Sequence, residues 1–308
     1  MRAIVYDEYG GPDVLRLAEV PDPKVGPDSV LLRVEAAAVN PVDWKLREGY
    51  LDGIMDVFFP VIPGWDVAGV VEAPGAAVGE FEAGDEVIGY VREDVVRRGT
   101  YAEKVAAPVR TLARKPRNLD WAQAASLPLA GLTAYQSVVH ALKVTESDTL
   151  LVHAAAGGVG AFAVQIARAL GARVIGTASE RNHDFLRSIG AEPVSYGDGL
   201  AGRVREIAPG GVSAVLDLVG GPALDTVAEV GAAGVRVASI VDTSVKEQGG
   251  TYVFVRPSAE DLTALVELVE AGKVAVEVSE VFPLEKAADA HRLSAEGHTR
   301  GKVAIRIG

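Results

Sequence analysis

The 308-residue chain contains no cysteine, which excludes disulfides, thiol nucleophiles and thiolate metal ligands together. It also lacks a long apolar run. Although 49% of its residues are hydrophobic, even the Ala/Gly-rich stretch from His153 is interrupted by Gln165 and Arg168, so no membrane span is predicted. A basic surplus is missing too: 42 acidic against 30 basic side chains give a net charge of −12, which repels phosphodiester backbones and anionic lipid and excludes nucleic acid and membrane surfaces as expected partners. No basic segment followed by an apolar one opens the chain, because MRAIVYDEYGG begins as a short alternating strand; no secretory signal is visible and a cytoplasmic address is expected. Histidine is scarce. His140, His153, His183, His291 and His298 have no close metal spacing and read as structural or solvated residues, and no nucleophile-elbow signature supports hydrolase chemistry.

What is present suits two domains sharing a cleft, one built discontinuously around the other. The first third alternates short strands with Pro/Gly turns: Arg2–Tyr6, Val30–Ala38, Val67–Glu72, Glu86–Gly89 and Tyr101–Val105. One helix is predicted there, Pro41–Glu48, with Asn40 as its cap and Pro41 at the first helical position. Near Asp120 the texture changes. Helices Trp121–Ser126 and Leu129–Ala141 lead into alternating strands (Thr149–His153, Arg173–Thr177, Pro193–Tyr196, Ala214–Leu218, Val235–Ile240, Tyr252–Val255) and helices (Ala161–Leu170, Asn182–Ile189, Leu200–Ile207, Ala223–Val230). Apolar strands alternating with helices predict a doubly wound parallel sheet, the α/β class. A further amphipathic helix is expected at Asp261–Ala271, and the last strand, Lys302–Ile307, is expected to return to the first domain.

The segment TLLVHAAAGGVGAFAVQIARALGARVIGTAS is a complete strand–turn–helix–strand unit. Gly157 and Gly158 lack a Cβ and let the backbone N–H groups around Ala156 and Val159 approach a pyrophosphate at a helix N-terminus, while Gly160 allows close helix-to-strand packing. The alternative is a tight turn into a packed Ala-rich helix, which leaves the adjacent glycine pair unexplained. Alanine replaces the first glycine of the dinucleotide fingerprint at Ala155, in a run that reads AxxGxxG from Ala154 through Gly157 and Gly160.

With that turn, the segments VNPVDWKLREG (39–49), PVIPGWDVAGVVE (60–72), GDEVIGY (84–90), GTYAEKVAAP (99–108), ASLPLAGLTAYQS (125–137) and FPLEKAADAHRLSAEGHTRGKV near the end make the whole chain resemble the medium-chain dehydrogenase/reductase superfamily, in its quinone oxidoreductase and zinc-type alcohol dehydrogenase-like branch. The resemblance implies a Rossmann domain, residues 121–279, inserted in a partly barrel-like GroES-like domain made of residues 1–120 and 280–308.

An NAD-selective site places Asp or Glu roughly 20 residues after the glycine turn. Ala178 stands there, and Thr177, Ser179, Arg181 and Asn182 can donate to a 2′-phosphate instead, which points to NADP(H); Glu180 opposes that reading unless it faces solvent. The resemblance adds Tyr196 as a second phosphate contact, although a half-buried strand aromatic is an equally ordinary role. It further implies that Asn40 and Thr133 face the nicotinamide end, that Val219, Gly220, Ser239, Ile240, Phe254 and Val255 line the cofactor, and that Gly301 and Lys302 add a contact.

Related alcohol dehydrogenases bind catalytic zinc at positions that here hold Asn40, Trp65 and Leu129, none a plausible ligand in this arrangement. Without a Lewis acid, the expected acceptors are already electrophilic: quinones or carbonyl-conjugated double bonds. Lys45 and Tyr50 are the polar candidates beside Asn40 for a catalytic role, each equally ordinary as a solvated lysine and a packed loop tyrosine, and Trp44, Trp65, Phe58 and Phe59 could wall an aromatic acceptor or simply pack. The leading expectation is NADPH-dependent hydride transfer to a quinone. An enoyl or alkenal double-bond reductase and a non-catalytic NADPH-binding protein are the alternatives, and a homodimer is expected by resemblance.

Overall fold

The computed structural model describes residues 1–297 and 299–308; His298 lies outside the described residues. The chain divides into two compact units, one formed by Met1–Leu129, Pro257–Glu270 and Val276–Gly308, the other by Ala130–Arg256 and Ala271–Ala275. The helix Ala259–Glu270 therefore belongs with the first unit, whereas its position in sequence suggested the second.

The first unit is built on a sheet ordered Val278–Pro283, Lys302–Arg306, Ser29–Val39, Asp66–Pro74, Glu86–Tyr90 and Leu112–Arg114, with Lys104–Pro108 pairing one end of Ser29–Val39. Alternation in Ser29–Val34 sends Val30, Leu32 and Val34 inward, where they pack on Val67, Val71, Val87 and Leu112; each such side chain contributes about 2 kcal/mol by leaving water. The last strand pairs antiparallel with Ser29–Val39, placing Val303 opposite Val39 and Ala304 opposite Ala38. That register brings Lys302 beside Asn40.

The second unit is a six-stranded parallel sheet made of β1 (Thr149–Val152), β2 (Arg173–Thr177), β3 (Glu192–Val194), β4 (Val212–Asp217), β5 (Gly231–Ser239) and β6 (Thr251–Tyr252), in spatial order β3-β2-β1-β4-β5-β6. This is the doubly wound order whose switch point falls between β1 and β4. Leu151, Ile175, Val194, Val215, Leu200 and Val204 close its core on one face.

Several boundaries differ from the sequence expectation for local reasons. The strand expected at Tyr101–Val105 forms at Lys104–Pro108. β3 ends at Val194, because the carbonyls of Ser195, Tyr196 and Gly197 turn to the Arg203 guanidinium instead of a neighbouring strand. The helix expected at Ala223–Val230 is two single turns, Pro222–Asp225 and Val227–Val230. The helix Pro128–Tyr135 runs into a wider π-turn at Gln136–Ala141. Among the described residues no helix is long and apolar enough to cross a membrane.

Candidate active site

In the second unit β1 ends at Val152, and a tight turn over His153–Ala156 leads to Gly157, the residue before the helix Gly158–Ala169. Ala154 holds the left-handed backbone conformation (φ +48°). The turn is pinned from β2: the Ala154 N–H donates to Thr177 Oγ1 at 3.1 Å, and the Ala155 N–H to the Thr177 carbonyl at 2.9 Å. A Cβ on Gly160 would lie 2.4 Å from the Ala154 oxygen, and one on Gly176 would lie 2.8 Å from the Ala155 methyl. Alanine thus replaces the first fingerprint glycine because β2 offers a glycine opposite it. Beside Gly157 only the Ala154 oxygen, 3.3 Å from a notional Cβ, stands near. The first N–H groups of the helix, at Gly158, Val159 and Gly160, have no helical acceptor by geometry. The orphan donors and the helix dipole fit a pyrophosphate, and Ala156 flanks them.

Several other residues expected to meet a cofactor follow the carboxyl ends of the strands of this sheet. Thr177 is buried with its hydroxyl accepting from the turn. Ser179 and Asn182 sit in the following single turn, where the Asn182 N–H donates to the Ser179 carbonyl at 2.9 Å; Glu180 and Arg181 are exposed. Tyr196 is 64% exposed. After β4, the N–H groups of Val219 and Gly220 donate to Asp217 Oδ1 at 3.0 and 2.9 Å, and Ser239 Oγ donates to Asp217 Oδ2 at 2.7 Å. Ser239 Oγ also accepts from the Val241 and Asp242 N–H groups, at 3.3 and 3.0 Å. Buried Asp217, which sequence reasoning passed over, therefore ties the loop after β4 to the end of β5. The signal for it was a lone carboxylate ending an apolar strand, VSAVLD. Ile240, half-buried, donates its N–H to the Asp217 carbonyl at 3.3 Å. Beyond β6, Phe254 is exposed and Val255 half-buried. Thr133 is buried in the helix Pro128–Tyr135, its carbonyl accepting from Ser137 Oγ at 2.7 Å. Of the histidines here, His153 Nε2 is buried without a partner, and burial holds its pKa below the usual value.

In the first unit the helix Pro41–Arg47 begins at Asn40. Asn40 does not cap it with its side chain, as the sequence suggested. The cap runs the other way: Asp43 Oδ2 accepts the Asn40 N–H at 2.7 Å. The freed carboxamide lies in a buried polar cluster. Its Nδ2 donates to Asp66 Oδ2 at 2.8 Å, and its Oδ1 accepts from Lys302 Nζ, which also donates to the Val39 carbonyl at 3.1 Å. An ammonium only donates and a carboxylate only accepts, so the two ends of this amide cannot be exchanged. Asp66 Oδ1 accepts the Leu129 N–H at 2.7 Å. Of the three positions where the resemblance expects zinc ligands, Asn40 and Leu129 both donate to the Asp66 carboxylate, and Trp65 is its chain neighbour. Among the described residues no three His, Cys, Asp or Glu side chains are arranged to hold a metal.

This cluster contains one cation and two carboxylates. Burial pushes Asp66 up to about 6, against the opposing pull of Lys302 and Asn40, and pushes Asp43 up to about 7, against the opposing Asn40 N–H. Burial also lowers Lys302. Asp66, with donors on both oxygens and joined to Lys302 through the Asn40 carboxamide, is the better placed to stay charged, and Asp43, whose Oδ1 has no partner, is the more readily protonated of the two. Gly301, expected with Lys302, has φ +73° and would carry a Cβ only 2.5 Å from the Glu277 carbonyl.

Lys45 and Tyr50 lie on the outer side of the same helix and its loop. Lys45 Nζ sits 5.6 Å from the Trp44 ring centroid, and Tyr50, 70% exposed, meets Trp44 edge-on at 6.3 Å. Phe58 is exposed; Phe59 packs edge-on against Tyr6 and Tyr9. Trp65 is buried against Tyr90.

Residues 26–117 match the alcohol dehydrogenase GroES-like domain family, and residues 189–305 the zinc-binding dehydrogenase family. The chain is 32% identical to a chloroplast envelope quinone oxidoreductase homolog of Arabidopsis thaliana over 99% of its own length and 98% of the relative's. It is 36% identical to an NADPH-dependent alkenal/one oxidoreductase of the same plant over 99% of its length and 79% of the relative's. Among solved structures it resembles an NAD-dependent alcohol dehydrogenase, with TM-score 0.91, 34% identity and all of both chains covered. It also resembles a mycobacterial protein solved in complex with NADPH, with TM-score 0.86, 31% identity, and 99% of this chain and 100% of that one covered. With a GroES-like unit, a nicotinamide-dinucleotide-binding Rossmann unit and relatives matched over its full length, the chain belongs to the medium-chain dehydrogenase/reductase superfamily, in the quinone oxidoreductase-like branch.

Proposed function

We propose that this protein is an NADPH-dependent reductase that passes hydride to a quinone or a carbonyl-conjugated acceptor without a metal ion. The observation that carries this reading is the residue set at the positions where the resemblance expects zinc ligands, an asparagine, a tryptophan and a leucine, of which Asn40 and Leu129 both donate to the neighbouring Asp66 carboxylate. A site that cannot polarise a simple ketone with zinc suits acceptors that draw electrons on their own. The names of the two plant relatives support both acceptor types.

Bound NADPH would supply the hydride, and the one proton that then completes the hydroquinone would come from water. The protein's own contribution is positioning and charge placement. The turn at Ala156–Gly160 would hold the pyrophosphate, Ser179, Arg181, Asn182 and Tyr196 would receive the 2′-phosphate, and the Asp217-braced loops at Val219–Gly220 and Ser239–Ile240 would line the cofactor with Phe254 and Val255. Thr133 in the second unit and the carboxamide of Asn40 in the first are the residues assigned to the nicotinamide, and Gly301 and Lys302, whose Nζ donates to Asn40 Oδ1, are assigned a further cofactor contact. Lys45 and Tyr50 are the candidates for binding the acceptor's oxygen. NADP(H) is favoured because Ala178 stands where an NAD-selective site carries a carboxylate, and the NADPH named for one relative and one solved structure agrees. A homodimer and a cytoplasmic address complete the proposal.

The test is stopped-flow loss of NADPH absorbance at neutral pH, with a quinone and a conjugated enone as separate acceptors and with NADH and a metal chelator as controls. Chelator-resistant oxidation of NADPH ahead of NADH is the expected result, and the acceptors rank the two reductase readings. Tight NADPH binding without oxidation of either acceptor would replace the enzyme reading with a binding role.

A further inference from the structure

The end of β3 is held by an unusual anchor. Arg203, in the helix Leu200–Ile207, spends its guanidinium on backbone carbonyls alone: Nε and Nη2 donate to Ser195 O at 3.1 and 2.8 Å, and Nη1 to Asp198 O at 2.8 Å. Nη2 also reaches Tyr196 O at 3.4 Å and Gly197 O at 3.3 Å. It forms no ion pair among the described residues, so its charge is uncompensated. The loop can wrap the guanidinium because Gly197 and Gly199 take φ +88° and +77°, values that cost a side chain about 1–2 kcal/mol.

A consequence follows from the planarity of the trans peptide, in which C=O and the next N–H point opposite ways. With the carbonyls of Ser195, Tyr196, Gly197 and Asp198 drawn toward Arg203, the N–H groups of Tyr196, Gly197, Asp198 and Gly199 face away from it. None of the four has an acceptor among the described residues. The exposed Tyr196 phenol stands in the same loop. Sheet pairing puts the loop beside the other end of the predicted phosphate site: Val194 pairs with Thr177, and the Ala178 N–H donates to Val194 O at 3.0 Å. The loop therefore presents outward N–H donors and a phenol, backed by an unneutralised cation, next to Ser179 and Arg181.

We infer that Arg203 is the positioning residue for cofactor selection: by gripping the Ser195–Asp198 carbonyls it fixes Tyr196 and turns the loop's N–H groups toward the 2′-phosphate of NADPH, which it also attracts with its charge. This rests on the NADPH reading above. Arg203 itself touches no cofactor, and its effect is confined to the phosphate that distinguishes NADPH from NADH.

The experiment measures dissociation constants by calorimetry for NADPH, NADH, 2′,5′-ADP and 5′-AMP, on the wild type, R203M, R203K and Y196F, with thermal melts to establish folding. R203M is expected to weaken NADPH and 2′,5′-ADP at least ten-fold while leaving NADH and 5′-AMP within two-fold; R203K, which keeps the charge but not the fork, should fall between. If R203M does not fold, R203K together with Y196F, whose substitution at an exposed ring leaves the fold intact, carries the test through the same NADPH-to-NADH ratio. Variants that keep the wild-type ratio overturn the inference, as does a wild type that binds NADH as well as NADPH, in which case the dinucleotide reading survives. A wild type that binds neither cofactor overturns both.

Discussion

Replacing Asp43 with asparagine tests the charge balance of the buried cluster. Asp43 Oδ2 accepts from the Asn40 N–H at 2.7 Å and from the Tyr101 hydroxyl at 3.2 Å, whereas Oδ1 is bare. An asparagine whose oxygen takes the Oδ2 place keeps both bonds and puts its NH₂ where the protonated acid carries its hydrogen, so D43N imitates the neutral form. The folded carboxyl is raised from 3.8 to about 7, chiefly by burial. A raised native value means that the folded protein holds this proton more tightly than the unfolded chain does; its contribution to stability is complete below 3.8 and is lost as pH rises through 7. Three units at about 1.36 kcal/mol each amount to about 4 kcal/mol, of which about 3 kcal/mol falls between pH 5 and 8. Asp43→Asn removes that loss. Thermal or urea unfolding of both proteins across this range should show the mutant gaining on the wild type by up to about 3 kcal/mol toward pH 8. A stability difference that stays constant across pH would refute the assignment of the proton to Asp43.

Three further outcomes follow from the geometry. Ala154→Gly relieves a left-handed alanine and should stabilise the second unit by about 1 kcal/mol, seen as a higher melting temperature. Gly160→Ala places a methyl 2.4 Å from the Ala154 oxygen; a turn forced open should lose at least about ten-fold in dinucleotide affinity by calorimetry and about 1–3 kcal/mol of stability, and an unchanged affinity would remove this turn from the binding site. Lys302→Met strips the ammonium from Asn40 Oδ1, Val39 O and the Asp66 charge, and should cost about 3–5 kcal/mol; a loss below about 1 kcal/mol would mean that the lysine is not the partner of that buried carboxylate.

The two units differ in how much of them could be read from residues. Alternating apolar strands and helices, with one glycine turn, were sufficient for a doubly wound parallel sheet, because that pattern depends on local periodicity and on the handedness of crossovers. Its loop geometry was less legible. Nothing in the sequence distinguishes Arg203 from any other helix arginine, because the carbonyls it binds are set by the loop backbone. The Asn40 cluster was hidden in a different way. Asn40 read as a helix cap because the best acceptor for a first-turn N–H is usually the capping side chain, yet Asp43 reaches back to Asn40 and frees the amide. The partner that then claims the carboxamide oxygen lies 262 residues further on, and no spacing rule spans that distance. What brings it there is strand register: with Val303 opposite Val39, Lys302 falls beside Asn40. Slipping that pairing by one residue would send every side chain of the last strand to the other face, removing the ammonium from Asp66 and leaving a buried carboxylate with no cation. The apolar residues Val303 and Ile305, buried in the first unit's core, resist that slip, so the same alternation that forms the strand also secures the charge beside Asn40.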